Sequence, residues 1–259
     1  MQEFSSDGVR IAFVDFPAEG EEPCKDLGEP ILLIHGFASN HSVNWQFPQW
    51  VKTLTRAGRR TIAFDNRGHG RSEKLYQPEA YSPWILARDA ANLLGHLDIP
   101  RADVMGYSMG ARIAAHLALS APHSIRGLVL AGLGIHLLDE EGPPSGIAEA
   151  MEAESLDLLT DPMQRMFRAF AETTGSDLPA LAACMRGSRR VITAKEIGEI
   201  AAPTLVCVGS RDEVAGDPEP LASMMRNARA FVIPGRDHNR AVGDKLYKEV
   251  VLAFLESLQ

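Results

Sequence analysis

Short, unbroken apolar runs alternate along this chain with longer stretches in which apolar residues return every three or four positions. Residues 31–34, 61–64, 102–105, 127–131, 204–208 and 230–233 have the length and continuity of strands buried on both faces. Residues 9–16 alternate loosely between Gly8 and Pro17 and predict an opening strand. Helical spacing predicts helices over 44–57, ended by Gly58, over 81–97, over 111–119 up to the stop at Pro122, near 220–227, and over 239–258. Buried strand followed by helix, repeated, is the signature of an α/β protein with a mostly parallel sheet covered on both faces.

The rhythm breaks twice. Residues 18–30 are rich in Glu, Gly and Pro and read as a loop. After Gly134, a hinge-like Gly142-Pro143-Pro144 leads into purely helical patterning from 146 to about 200. There Met163, Met166, Phe167 and Phe170 recur at helical spacing on one face. The expectation is a core made of residues 1–134 and 201–259 with a helical cap inserted over 135–200. The Met and Phe stripe either seats that cap on the core or contacts substrate.

At 259 residues, 45% apolar and 23% charged, the chain has the makeup of an ordinary globule of one main domain. A net charge of -8 argues against nucleic acid, which requires a basic stripe. Residues 135–200 carry twelve Asp and Glu against six Lys and Arg, which disfavours polyanionic ligands. Cys24, Cys184 and Cys207 are too scattered for a disulfide framework or a zinc site, and Cys207 reads as strand core. With no signal-like start and no apolar run of spanning length, the expectation is a cytoplasmic protein without membrane contact, a monomer or homodimer, needing no metal.

The chemistry gathers at Gly106-Tyr107-Ser108-Met109-Gly110, between a predicted strand and a predicted helix. A serine at such a turn is held in a strained conformation with its hydroxyl above the sheet, a nucleophile elbow. Gly110, Ala114 and Ala118 then form a strip of small residues that lets the helix lie close to the sheet. A serine hydroxyl needs a base and a carboxylate to orient that base. Of eight histidines, His238 alone sits in a loop after the last strand, at the sheet's carboxyl edge; His41 lies in a polar loop and His35 braces a turn. Among carboxylates, Asp212 follows its strand most closely, while Gly132-Leu133-Gly134 offers none and Asp237 is too near His238 in sequence to meet it head-on. The oxyanion of an acyl transfer would be met by the backbone N–H groups of Met109 and Phe37.

Taken with His35-Gly36-Phe37, the turn-rich run from Asp65 to Ser72, Gly209-Ser210-Arg211-Asp212 and Gly235-Arg236-Asp237-His238, this elbow resembles that of the α/β-hydrolase fold superfamily over essentially the whole chain. In that superfamily nucleophile, acid and base follow the order found here: Ser108, Asp212, His238. The resemblance implies an esterase-like serine hydrolase that acts on a small molecule without a cofactor. It leaves open a carbon-carbon bond hydrolase, a cofactor-free haloperoxidase or perhydrolase, and, from another class, a small-molecule receptor on the same fold.

Overall fold

Strands β1 (Gln2–Ser6), β2 (Val9–Phe16), β3 (Ile31–Ile34), β4 (Thr61–Phe64), β5 (Ala102–Tyr107), β6 (Ile125–Ala131), β7 (Thr204–Gly209) and β8 (Ala228–Ile233) form one sheet in the order β1-β2-β4-β3-β5-β6-β7-β8. The computed structural model describes residues 1–19, 29–138 and 144–258. β2 runs antiparallel to β1 and to β4, and the remaining pairs are parallel. β3, β4, β5, β6 and β7 are buried along their whole lengths, as their continuous apolar runs require.

Helices α1 (Trp50–Arg56), α2 (Pro83–His96) and α3 (Met109–Ser120) connect the first parallel strands. Between β6 and β7 the described residues form α4 (Ile147–Glu152), α5 (Pro162–Thr173), α6 (Leu178–Gly187) and α7 (Ala194–Glu199). Local signals start three of these: Asp161 and Asp177 cap α5 and α6 ahead of a proline in the first turn, and Thr193 with Glu196 closes a capping box on α7. After β7 come α8 (Pro218–Ser223), α9 (His238–Ala241) and α10 (Lys245–Glu256).

One face of the sheet packs against α2, α3 and the helices before β7, in a core holding Leu32, Ile34, Val104, Leu128 and Phe167. The other packs against α1 and α10, where Trp50 meets Trp45 at 6.5 Å and Tyr247 at 4.9 Å edge to face. Such aromatic pairs add about 0.5–1.5 kcal/mol each to the burial of their area.

Three expectations change. The helix expected over 44–57 is two pieces, a π-helical turn at Ser42–Gln46 and α1, because Pro48 has no N–H to continue the ladder and Gln49 is left-handed at φ 67°. The closing helix breaks into α9 and α10, with Asp244 capping the second by accepting from the N–H groups of Leu246 and Tyr247. β1 has no apolar run; its central Phe4 and Ser6 alone turn inward, and it joins β2 through Asp7 and Gly8, both at positive φ. The loop expected over 18–30 lies largely outside the described residues, as do Cys24, Gly142 and Pro143.

The order of strands matters for function. From β3 the chain passes to β4 on one side, then returns to place β5 on the other, so the direction in which successive strands are added reverses between β3 and β5 while the strands stay parallel. Ligands collect beyond the carboxyl ends of strands at such a switch point. Ile34 pairs with Gly106 there, which sets the Gly36 turn beside the Ser108 elbow.

Candidate active site

Ser108 has φ 56° and ψ -118°, a conformation costly for any residue with a Cβ, and its amide is fixed to the Ala131 carbonyl at 2.7 Å. Glycines make the elbow possible by contact distance. A Cβ on Gly110 would stand 2.0 Å from the Ile34 carbonyl oxygen, and one on Gly106 would stand 2.1 Å from that of Gly110.

His238 opens α9 just after β8, and its Nε2 lies 3.1 Å from Ser108 Oγ. Its Nδ1 lies 2.8 Å from Asp212 Oδ2, while Asp212 Oδ1 accepts from the N–H groups of Val214 and Ala215, each at 3.0 Å. The Asp212 side chain is fully buried and that of His238 is 11% exposed, so the carboxylate has a single orientation in which to meet the ring. Asp237 is engaged elsewhere, accepting from the N–H groups of Asn239 and Arg240 as the cap of α9. The structure therefore brings Ser108, His238 and Asp212 together, and leaves Asp237 out.

The turn after β3 closes the other side. A Cβ on Gly36 would stand 3.2 Å from the Tyr107 carbonyl oxygen and 3.3 Å from Ser108 Cβ, so this turn lies against the elbow. Gly36 N–H donates to Asn44 Oδ1 at 3.0 Å. The N–H groups of Phe37 and Met109 have no acceptor among the described residues. His35 braces the turn as expected: its Nδ1–H donates to the Gly36 carbonyl at 2.7 Å and its Nε2 accepts from Asn66 N–H at 3.0 Å. Burial, partly opposed by Asp65, pushes His35 down to about 4, which keeps the ring neutral with that proton arrangement.

His41 departs from the polar loop expected of it. It is buried, and Asp65 Oδ1 accepts from both its N–H and its Nδ1–H at 2.8 Å. Burial pushes the Asp65 carboxyl up, but the His41 hydrogen bonds and the neighbouring histidines outweigh it and leave it at about 2. His69, behind this network, is held down to about 3 by burial and then by His35.

Two cavities meet at Ser108, of about 250 and 240 Å³. Phe37 and Phe167, in edge contact at 6.0 Å, border both. The first is lined by Met109, Leu133, Met163 and Met185, with Arg112 and His136 among its polar lining. The second runs past Val43, Pro48, Met166, Phe170, His238 and Val242. All four members of the Met and Phe stripe thus line one cavity or the other, while Phe167 also packs in the core.

Local patterns gave no sign of Asn44, Arg112, Met185 or Val242, which lie on separate elements and converge only in the fold. Tyr107 lies inside the elbow motif, and its hydroxyl donates to the His238 carbonyl at 2.5 Å. Among the described residues no cluster of three or more His, Cys, Asp or Glu is arranged to hold a metal ion. Nor, among the described residues, is any helix long and apolar enough to cross a membrane.

The family model for the alpha/beta hydrolase fold matches residues 29–183. The non-heme haloperoxidase of Rhodococcus erythropolis is 27% identical, with 98% of each chain covered. The dihydrolipoyllysine-residue acetyltransferase component of the acetoin cleaving system of Pseudomonas putida is 39% identical over 113 residues, which span 41% of this chain and 28% of that protein. The crystal structure of the enol-lactonase from Burkholderia xenovorans LB400 superposes with a TM-score of 0.80 at 21% identity, over 98% of this chain and 100% of that one.

Proposed function

The chain belongs to the alpha/beta hydrolase fold family, and on that premise we propose that it is a serine hydrolase cleaving a small, largely apolar carboxylic ester through an acyl-enzyme. The observation that carries this is the line from Ser108 Oγ to His238 Nε2 at 3.1 Å and from His238 Nδ1 to Asp212 Oδ2 at 2.8 Å, opening on two cavities. Ser108 Oγ attacks the ester carbonyl as His238 takes its proton, and the oxyanion is met by the N–H groups of Phe37 and Met109. His238 then gives that proton to the departing alkoxide. Water enters in its place, loses a proton to His238 and attacks the acyl carbon; His238 then returns that proton to Ser108 Oγ as the acid leaves.

The proton delivery assigns the cavities. The leaving group must lie within reach of His238, so it occupies the second cavity, which His238 and Val242 line. The acyl group occupies the first, beyond Met109. Helices between β6 and β7 roof both, which is the role proposed for residues 135–200 as a cap. Each methylene buried in either cavity is worth up to ~0.8 kcal/mol, about fourfold in kcat/KM, until the space is full.

A panel of esters varied independently in acyl and alcohol length tests this, with a fluorophosphonate probe to label Ser108. Met185→Trp should shorten the accepted acyl chain alone, and Val242→Trp the accepted alcohol alone. Labelling at Ser108 with tight ligand binding and no ester turnover would instead mark a small-molecule receptor.

A second reading is favoured by the haloperoxidase of Rhodococcus erythropolis, which matches across 98% of both chains. Hydrogen peroxide in place of water would attack the acyl-enzyme and leave as a peracid, freeing the serine. Bromide oxidation that requires both peroxide and a carboxylic acid, and that is lost in Ser108→Ala, would establish it.

A further inference from the structure

The turn that presents Phe37 N–H is tied to the helical segment by side-chain hydroxyls. Ala38, fully buried, has φ 56°, a left-handed conformation that costs a residue with a Cβ roughly 1–2 kcal/mol. Its carbonyl lies 2.8 Å from Thr174 Oγ1 and 3.3 Å from Ser176 Oγ, and those two oxygens are 2.8 Å apart. Thr174 Oγ1 is also 3.0 Å from the Ala171 carbonyl. Each hydroxyl has one hydrogen to give: Thr174 can donate to Ala38, Ala171 or Ser176, and Ser176 to Ala38 or Thr174. Every combination delivers a hydrogen to the Ala38 carbonyl except the one in which Thr174 turns to Ala171 while Ser176 turns to Thr174.

That carbonyl shares a planar peptide with Ser39 N–H, which donates to the Gly36 carbonyl at 3.3 Å. The Gly36 carbonyl in turn shares its peptide with Phe37 N–H. A hydroxyl on Ala38 therefore holds one peptide plane, which holds the next, which aims the oxyanion donor. Hydrogen bonds linked in this way also polarise one another. His35 Nδ1–H grips the same Gly36 carbonyl at 2.7 Å, but from within the core. The Thr174 and Ser176 grip comes from the end of the helix that carries Phe167 and Phe170 into the cavities.

We propose that Thr174 and Ser176 are positioning residues for the Phe37 oxyanion donor, so that the segment roofing the cavities also sets the alignment of the catalytic turn. The inference rests on the serine-hydrolase reading. Because the two hydroxyls substitute for one another, Ser176→Ala should change kcat by less than about twofold and Thr174→Ala by a few-fold. Thr174→Val with Ser176→Ala removes both donors while keeping the shape of the larger side chain. Losing one oxyanion donor outright costs about 10²–10³ in kcat, so misaligning one should cost about 10- to 100-fold.

The test measures kcat and KM on a short 4-nitrophenyl ester, and the affinity of a trifluoromethyl ketone that forms the tetrahedral adduct. In the double variant kcat and adduct affinity should fall together while KM stays within about twofold, and Thr174→Ser should restore both. The proposal is overturned if the double variant keeps its kcat, or if KM and melting temperature change while adduct affinity does not. Failure of the unaltered protein to react with a fluorophosphonate at Ser108 removes the hydrolase reading itself, and this inference with it.

Discussion

The Tyr107 hydroxyl donates to the main-chain carbonyl of His238 at 2.5 Å, and the two rings lie 5.6 Å apart. The residue before the nucleophile thus holds the backbone of the base, across 131 positions of sequence. Burial and then the nearby Asp212 push the Tyr107 phenol well above its ordinary value, so it remains a donor at every working pH. Tyr107→Phe would leave the His238 carbonyl without that donor. We expect kcat to fall about tenfold with KM little changed, and stability to fall by about 1–2 kcal/mol, read by kinetics and urea unfolding.

Asp212→Asn keeps the size of the side chain but cannot accept from His238 Nδ1–H with the same charge. Turnover should drop by roughly 10⁴. Asp237→Asn should cost no more than a helix cap does, about 0.5–2 kcal/mol of stability, with turnover near normal. The opposite ranking in ester hydrolysis would reverse the assignment of the acid.

Two glycines separate packing from backbone preference. Gly110→Ala places a methyl 2.0 Å from the Ile34 carbonyl oxygen, where only backbone can give way, and should destabilise the protein by more than about 3 kcal/mol. Gly175→Ala meets no atom within 4 Å and costs only the left-handed penalty at φ 64°, about 1–2 kcal/mol. Denaturant midpoints of the two variants make the comparison.

Three buried histidines make stability depend on pH. Burial, only partly opposed by neighbouring hydrogen bonds and carboxylates, holds His35 and His116 at about 4, and burial followed by His35 holds His69 at about 3, against 6.5 for the free side chain. Between pH 6.5 and 4 the unfolded chain binds protons that the folded chain does not, so stability falls as pH is lowered through that window. Each histidine contributes on the order of 3 kcal/mol across it. Asp65, at about 2, keeps its charge through the same window and gives up its own contribution only below it. Urea unfolding between pH 7 and 4.5 should show the decline, and His116→Leu should make it shallower.

Much of this was legible in the amino-acid order. The buried strands read directly because parallel strands covered on both faces must be apolar throughout, and the elbow read because its glycines and serine stand between a strand pattern and a helix pattern. Ser108, Asp212 and His238 stood out as candidates because each lies in a turn that follows a strand. What stayed hidden was made by the third dimension. Thr174 and Ala38, or Asn44 and Gly36, carry no local mark of one another, and a hydroxyl that holds a distant carbonyl looks like any surface threonine. Pro48 interrupts the backbone ladder that the apolar spacing around it would otherwise support, which is why one expected helix came apart.

Four thioethers face the cavities: Met109, Met163 and Met185 in one and Met166 in the other, with Cys184 Sγ 3.9 Å from Met109 Sδ behind them. Sulfur of this kind takes up an oxygen atom readily and becomes a polar, bulkier sulfoxide. Any oxidant formed on Ser108 is released among these side chains before it reaches solvent. Water as the acyl acceptor leaves the walls unchanged from one turnover to the next; peroxide would make each turnover a chance of chemical ageing. A protein working through peracids with this lining should therefore have a finite number of cycles, countable as methionine sulfoxide by mass spectrometry.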